Sequence, residues 1–191
     1  MSFHPSLLTP QAKAKKMMLW FAMISMTMMF AGLTSAYVVS KSRPDWLANF
    51  ELPMPFFIST IVIIVSSITF WIAFSKLKEK NAAGVTLFTL ITLVLAVVFS
   101  LTQWAGFSAI VAQGYYFTGA ESSVTTSFLY VLVITHFAHL IGGMVVLLIV
   151  LANHLRGRYF DNPLGFVLAH TFWHFLGFLW LYLFVFLFFL R

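Results

Sequence analysis

Five stretches of the chain contain no Asp, Glu, Lys or Arg, and each is long enough to cross a membrane as a helix. They cover residues 17–40, 52–75, 81–120, 122–155 and 162–190. A helix needs about 20 apolar residues to cross a bilayer core of about 30 Å, where the backbone must satisfy its own hydrogen bonds. Barrel strands would instead alternate apolar and polar residues over about 10 positions. The pattern therefore predicts membrane-spanning helices.

The third stretch is long enough that it could hold one helix or two. Its second part contains Gln103, Gly106, Gln113 and Gly114, and it is too short and polar for another crossing with a turn. We therefore predict one long third helix followed by a glycine-rich loop. The sequence as a whole predicts an all-α integral membrane bundle of five helices, with residues 1–191 forming one domain. The predicted spans are about 17–39, 54–75, 84–113, 127–152 and 165–190.

Composition supports a membrane protein and excludes several other classes. Of the 191 residues, 61% are hydrophobic and 8% are charged, whereas an average soluble domain has about 25% charged residues. The net charge of +6 comes from bases placed between apolar runs, so it does not indicate nucleic-acid binding. The sequence has no cysteine, which excludes disulfides, thiolate metal sites and a cysteine nucleophile.

The distribution of Lys and Arg predicts how the chain is oriented in the membrane. Five spans place the two termini on opposite sides, and eight of the 11 basic residues fall on the side of the N-terminus. An excess of bases marks the cytoplasmic side, so we expect a cytoplasmic N-terminus and a C-terminus outside. The bases on the predicted cytoplasmic side are Lys13, Lys15, Lys16, Lys76, Lys78, Lys80, Arg156 and Arg158.

The predicted spans lack charged residues but carry two pairs of histidines. His136 and His139 are three residues apart in the fourth span, and His170 and His174 are four apart in the fifth, so each pair occupies one face of its helix. The short connection between these spans predicts that the two helices are antiparallel neighbours. Counted from the cytoplasmic ends, His139 lies about 20 Å deep and His174 about 14 Å deep. These two histidines therefore come closest to one level.

Spacing alone leaves three interpretations of the histidines open. Imidazoles on facing helices can bind a metal or one b-type haem, as in a one-haem cytochrome b-type membrane anchor. A proton relay would lack a carboxylate or lysine partner within the spans. Neutral histidines can also form hydrogen bonds between helices, which contribute about 0.6 to 2 kcal/mol each in lipid.

Two further features of the sequence suggest contacts. Arg156 and Arg158 lie at the predicted cytoplasmic edge, where they could hold lipid phosphate groups or serve only to set the topology. Small residues spaced four apart allow helix backbones to approach closely. Such pairs are Ala31 with Ser35, Gly32 with Ala36, and Ala138 with Gly142.

Motifs in all five spans resemble one known family. The fourth span contains an H-x-x-H-x-x-x-G segment over residues 136–143, and the fifth contains a WHF segment at 173–175 followed by Trp180 and Phe184. The first three spans contain further motifs, namely residues 30–37 (FAGLTSAY), Ser59-Thr60, Ser66-Ser67 and Gln103-Trp104. Taken in order along the chain, these motifs resemble those of subunit III of the haem–copper terminal oxidases over about residues 20–188.

This resemblance implies a fold and a function. The chain is similar to the five-helix bacterial form of the family, located in the plasma membrane with its N-terminus inside. The family implies an accessory subunit of cytochrome c oxidase, a complex that reduces O₂ to water and moves protons. Subunit III itself carries no cofactor, because haem and copper belong to subunits I and II. Its expected partners are subunit I above all, subunit II, other respiratory subunits and phospholipid. The same fold in a quinol oxidase or a nitric-oxide-reductase accessory protein is the alternative.

Because subunit III of this family carries no cofactor, the resemblance implies that the histidines have a structural role. They should form a polar cluster between the fourth and fifth spans that fixes these helices and contacts subunit I or a lipid. The expected members of this cluster are His136, His139, His170, Trp173 and His174.

The chain departs from the family at two acidic positions. Many members carry Glu a few residues before the F-A-G segment, where this chain has Met26 and its neighbours. Many also carry Asp two residues after the WHF segment, where this chain has Gly177. Any function of those carboxylates is therefore not transferred to this protein.

Overall fold

The computed structural model describes most of the chain. It covers residue 7, residues 9–43, residue 46, residues 52–114 and residues 124–190. The glycine-rich loop expected after the third span falls mostly outside these residues. The described part is all-helical, with a short 3₁₀ turn at Ser40–Ser42 and six α-helices. The helices are α1 (Pro10–Val39), α2 (Met54–Lys78), α3 (Ala82–Ala112), α4 (Val124–Leu155), α5 (Arg158–Asp161) and α6 (Leu164–Leu190).

Five of these helices, all except α5, are long and apolar enough to cross a membrane. This confirms the prediction of five spans in an all-α protein. Several helices extend beyond the predicted spans, and α1 begins at Pro10 rather than near residue 17. The difference arises because charged residues limit the part of a helix that can lie in lipid, whereas capping groups decide where the helix itself ends.

Local capping explains several helix boundaries. Thr9 Oγ1 accepts a hydrogen bond from the Ala12 backbone N–H at 3.2 Å, and Pro10 occupies the first helical position of α1. Asn81 Oδ1 accepts from the Gly84 N–H at 3.0 Å at the start of α3. Gly157, with a φ of 72°, separates α4 from α5 in a left-handed conformation that glycine adopts without steric cost.

Helices α4 and α6 form the centre of the bundle. They pack against each other, and α1 contacts both of them. Helices α2 and α3 form a closely packed hairpin, with α2 also contacting α6 and α3 contacting α4. The expected adjacency of the fourth and fifth spans is therefore observed, but α6 is shared between α4 on one side and α2 on another.

Close helix approach occurs at glycines that the small-residue pairs did not identify. A Cβ on Gly143 would lie 2.7 Å from a Leu176 side-chain carbon, and one on Gly106 would lie 2.8 Å from the Phe56 ring. Nothing lies within 4 Å of the corresponding positions at Gly32 and Gly142. All six residues of the small-residue pairs are exposed. The expectation that they bring helices of this chain together was therefore wrong, because those faces of α1 and α4 point out of the bundle.

Candidate functional site

Two buried tryptophans of α6 donate hydrogen bonds to α2. Trp173 Nε1 donates to Ser66 Oγ at 3.2 Å, and Trp180 Nε1 donates to Thr60 Oγ1 at 3.0 Å. The Thr60 hydroxyl donates its own proton to the Phe56 carbonyl at 2.8 Å, so its lone pairs are free to accept. In an apolar medium each such bond satisfies groups that would otherwise be costly to bury. The WHF segment and the Ser/Thr pairs of α2 therefore join α6 to α2.

The α2–α3 hairpin is joined by further polar contacts. Gln103 Nε2 donates to Ser59 Oγ at 2.7 Å, where both side chains are buried. Thr69 and Thr92 hydroxyls lie 2.9 Å apart in the same hairpin. Ser59, Ser66 and Gln103 belong to motifs that the sequence analysis could link only to the family, without a structural role. In the structure, these side chains form hydrogen bonds between helices.

A polar contact also links α1 to α6, and it was missed by sequence reasoning. Thr34 Oγ1 and Tyr182 Oη lie 2.9 Å apart. Thr34 also donates to its own helix at the Phe30 carbonyl, at 2.9 Å. Thr34 lies within the FAGLTSAY motif, but nothing in its spacing indicates a partner 148 residues away.

His136 lies in the centre of the bundle, surrounded by aromatic rings. It is 1% exposed, and its ring centre is 5.3 Å from that of Trp180 and 6.4 Å from those of Phe30 and Phe99. Neither ring nitrogen has a hydrogen-bond partner among the described residues. His136 thus contacts α1, α3 and α6 through its ring faces and edges, while its polar atoms are left unsatisfied.

His139 also lies against α1, but nearer the surface of the bundle than His136. Its Nδ1 lies 2.7 Å from the Thr135 carbonyl, which can only accept, so Nδ1 carries the proton in this geometry. Its ring centre lies 6.0 Å from that of Phe30 on α1. The side chain is half-buried.

His170 and His174 contact each other and α2. Their Nε2 atoms lie 3.0 Å apart, which matches the expectation that residues four apart share one helix face. The His170 ring centre lies 4.6 Å from Phe74 and 5.7 Å from Phe70, both on α2. Both histidines are half-buried.

The five residues expected in one cluster therefore divide into two groups. His136 and His139 lie against α1 and the bundle centre, whereas His170, Trp173 and His174 lie against α2. Within the described part of the chain, no hydrogen bond or ring contact joins His139 to His174. The depth estimate placed these two at similar levels, but depth does not fix the direction in which a side chain leaves its helix. A role of either group in contacts with another subunit or a lipid stays a prediction.

Grooves open on the outside of the bundle in the part of the chain that the structure describes. One has a volume of about 360 Å³ and lies between α2 and α6, with Ser67 and His174 as its polar lining residues. Another, of about 700 Å³, lies between α3 and α4 and includes Gln103 and Trp104.

The two positions that lack the family carboxylates have different surroundings. Gly177 lines the α2–α6 groove, and a Cβ at this position would lie 2.9 Å from Ser67 Oγ. Any larger residue at 177 would therefore require Ser67 to move. Met26 is half-buried on α1, one turn before Phe30.

The segment between α4 and α6 carries the two arginines expected at the membrane edge. Both Arg156 and Arg158 are exposed, and Arg158 Nη1 donates to Asn153 Oδ1 at 3.3 Å. Burial raises the pKa of the neighbouring Tyr159 phenol, while a hydrogen bond with Asn153 and the charge of Arg158 act in the opposite direction. The Tyr159 ring packs against Gly165, where a Cβ would lie 3.1 Å from it. This packing anchors the segment to the start of α6.

The described residues contain no group of three or more His, Cys, Asp or Glu side chains that could hold a metal ion.

Comparison with known proteins identifies a family across almost the whole chain. The family model described as cytochrome c oxidase subunit III matches residues 9–191, a range that includes all five membrane-length helices.

Individual relatives agree with this match. Cytochrome c oxidase subunit 3 of Bacillus sp. (strain PS3) is 28% identical over 181 residues, covering 92% of this chain and 86% of the relative. Cytochrome c oxidase subunit 3 of Spodoptera frugiperda is 30% identical over 140 residues, covering 71% of this chain and 87% of the relative. Quinol oxidase subunit 3 of Bacillus subtilis (strain 168) is 27% identical over 172 residues, covering 86% of this chain and 81% of the relative.

Proposed function

Because this chain belongs to the cytochrome c oxidase subunit III family, we propose that it is the accessory subunit III of a respiratory haem–copper oxidase. The observation that carries the proposal is the family match over residues 9–191, which runs through every membrane-length helix rather than through one motif. The complex reduces O₂ to water and couples this reaction to electron transport and proton pumping.

In this proposal the chain stabilises subunit I and does not perform the chemistry itself. Haem and copper reside in subunits I and II, and subunit II and other respiratory subunits are further partners. The local structure supports a packing role. Trp173, Trp180 and Gln103 each use their donor groups to join helices of the bundle.

The proposal includes an orientation and a lipid contact. The protein lies in the bacterial plasma membrane with its N-terminus in the cytoplasm, as the excess of Lys and Arg on that side indicates. The exposed Arg156 and Arg158 then lie at the cytoplasmic surface, where their guanidinium groups bind phospholipid phosphates. Among the described residues, Arg156 makes no hydrogen bond that competes with such a contact.

A quinol-oxidizing complex is the second candidate. One relative, from Bacillus subtilis, is named quinol oxidase subunit 3. It is 27% identical to this chain, and the matched region covers 81% of its length. The electron donor is bound by other subunits of such complexes, so both candidates assign the same role to this chain.

Purification of the native complex tests the proposal. An affinity tag on this chain should co-purify haem-bearing subunits that consume O₂ with reduced cytochrome c or with quinol, and the preferred donor distinguishes the two candidates. The chain purified alone should show no Soret band. A Soret band and a sharp α band from the chain alone would indicate a haem-binding anchor. Recovery of the chain without any oxidase subunit from gently solubilised membranes would also contradict the proposal.

A further inference from the structure

His170 and His174 hold their Nε2 atoms close together on one face of α6. The two atoms lie 3.0 Å apart, and the ring planes are inclined at 73° to each other. The ring centres are only 4.3 Å apart, so the two Nε2 atoms do not point straight at each other and a hydrogen bond between them is poorly aligned. Because the proton of a neutral imidazole can sit on either nitrogen, both Nε2 atoms can offer a lone pair to a ligand beside the line that joins them.

The separation of the two nitrogens matches the bite of a metal chelate. Two histidines four residues apart on a helix can bind one metal ion, since their side chains meet on one face. With metal–nitrogen bonds of about 2.0 to 2.1 Å, a separation of 3.0 Å corresponds to an angle of about 90 to 97° at the metal. A tetrahedral ion such as Zn²⁺ needs a wider angle, whereas neighbouring ligands of a square-planar or tetragonal ion meet at about 90°. The geometry therefore favours Cu²⁺, which also binds nitrogen ligands more tightly than the other divalent ions of its row.

The pair lies near the end of the bundle where α2 ends and α6 begins. The Lys78 ammonium is 4.3 Å from the ring centre of Phe74, and that ring centre is 4.6 Å from the centre of the His170 ring. A lysine at the end of a membrane helix keeps its charge at the interface, so His170 lies within about 9 Å of a group that contacts water. Both histidines are half-buried, and His174 lines the open α2–α6 groove. An ion from the membrane surface can therefore reach the pair.

The other described histidines do not offer such a pair. His136 is 1% exposed and closed to ions, and His139 has its Nδ1 on the Thr135 carbonyl. His154 is buried, with its Nε2 3.1 Å from the Ala82 carbonyl. No set of three metal-binding side chains exists in the described part of the chain, so water completes the coordination of an ion held by two imidazoles. The sequence has no cysteine whose thiolate could compete for the ion.

We propose that His170 and His174 form a bidentate binding site for Cu²⁺ near the start of α6, with water in the remaining coordination positions. The Lys78 charge opposes a cation, so chelation by the two imidazoles supplies the affinity. This is an ion-binding site on the outside of the chain and is separate from the copper of the partner subunits. It does not depend on the proposed function, because it rests on the geometry of two neighbouring turns of one helix.

Copper titration of the full-length chain in a bilayer tests the site. The chain is purified through a tag without histidine and reconstituted in nanodiscs of phosphatidylcholine. The reference chain and every variant carry His4→Gln, so that the histidine near the N-terminus does not contribute. Cu²⁺ binding is measured by equilibrium dialysis, and electron paramagnetic resonance identifies the ligands. We expect one Cu²⁺ per chain above the level of empty nanodiscs, with a tetragonal spectrum that shows coupling to two imidazole nitrogens.

Substitution of each histidine tests the chelate. His170→Gln and His174→Gln should each weaken Cu²⁺ binding by at least about tenfold, because the second imidazole of a chelate binds at a high effective concentration. His139→Gln is the matched control, since it removes another half-buried histidine and should leave the affinity unchanged. Size-exclusion chromatography and circular dichroism check that each variant folds. The spectrum of the reference chain reports the two nitrogens without any substitution in the pair.

Several results would overturn the inference. The first is a reference chain that binds no more Cu²⁺ than empty nanodiscs do, which would mean that lipid seals the pair from ions. The second is an unchanged affinity in folded His170→Gln or His174→Gln. A spectrum with one nitrogen ligand, or an equal loss of affinity in His139→Gln, would show that the ion is held elsewhere. None of these results affects the proposed function, which is tested by co-purification of haem-bearing subunits.

Discussion

Gln103 and Ser59 share a buried hydrogen bond, but removing Ser59 should lower the free energy of unfolding much more than removing Gln103. Gln103 Nε2 donates to Ser59 Oγ at 2.7 Å, but Gln103 Oε1 is buried without a partner in the described part of the chain. The Ser59 hydroxyl has its own bond to the Phe56 carbonyl at 2.9 Å. Gln103→Leu therefore leaves Ser59 satisfied and removes the unpaired oxygen, whereas Ser59→Ala leaves both ends of the Gln103 amide unpaired.

Approximate magnitudes separate the two effects. An inter-helix hydrogen bond in lipid contributes about 0.6 to 2 kcal/mol, and a buried polar atom without a partner costs about 1 to 3 kcal/mol. Gln103→Leu loses the hydrogen bond and removes the unpaired oxygen, so the free energy of unfolding should change by about −1 to +2.4 kcal/mol. Ser59→Ala loses the bond and also leaves a second group of the Gln103 amide unpaired, so it should lower the free energy of unfolding by about 1.6 to 5 kcal/mol.

A double-mutant cycle on the full-length chain in detergent measures these values. Unfolding is followed by helical circular dichroism as a denaturing detergent is added, and the double variant should resemble Gln103→Leu alone. Ser108→Ala is the control, because this exposed hydroxyl bonds only to its own helix at the Trp104 carbonyl. If Gln103→Leu destabilises the protein more than Ser59→Ala does, the argument from the unpaired amide oxygen is refuted.

Three further predictions concern the bundle core, each measured by the same unfolding assay. Trp173→Phe removes one of the two tryptophan bonds from α6 to α2 and should lower the free energy of unfolding by about 1 to 3 kcal/mol. Trp104→Phe on the exposed surface should change it by less than about 0.5 kcal/mol. Gly143→Val forces a side chain into the α4–α6 contact and should lower the free energy of unfolding by about 1 to 3 kcal/mol. Gly142→Val, which places its side chain in open space, should not lower it. Equal effects of the two substitutions would contradict the packing described. His136→Leu removes two unpaired ring nitrogens and should raise the free energy of unfolding by about 1 kcal/mol, whereas a large loss would reveal a partner for this imidazole.

The sequence predicted the helices well because the membrane sets a simple requirement. A charge-free stretch of about 20 residues is needed to cross the bilayer core, and this requirement identifies a span without reference to any neighbour. The pairing of His170 with His174 was also predictable, since residues four apart lie on one face of a helix. Both inferences depend only on the geometry of a single helix.

The division of the histidines into two groups could not be predicted in the same way. It depends on how far α4 and α6 are rotated about their own axes, which directs His139 towards α1 and His170 towards α2. In a soluble bundle the polar faces of helices would reveal this rotation. Here most helix faces are apolar, because lipid and the bundle core favour the same side chains.

By itself, the sequence determined that this protein is a five-helix membrane protein and supplied the motifs that connect it to its family. The tertiary structure decided what those motifs contact: the tryptophans of α6 bond to the hydroxyls of α2, and Gly143 rather than Gly142 lies in the tight contact. The physical reason is that the cost of burying charge in lipid acts on each segment separately. Contacts between helices depend instead on a few polar atoms and glycines, whose partners are far away in the chain.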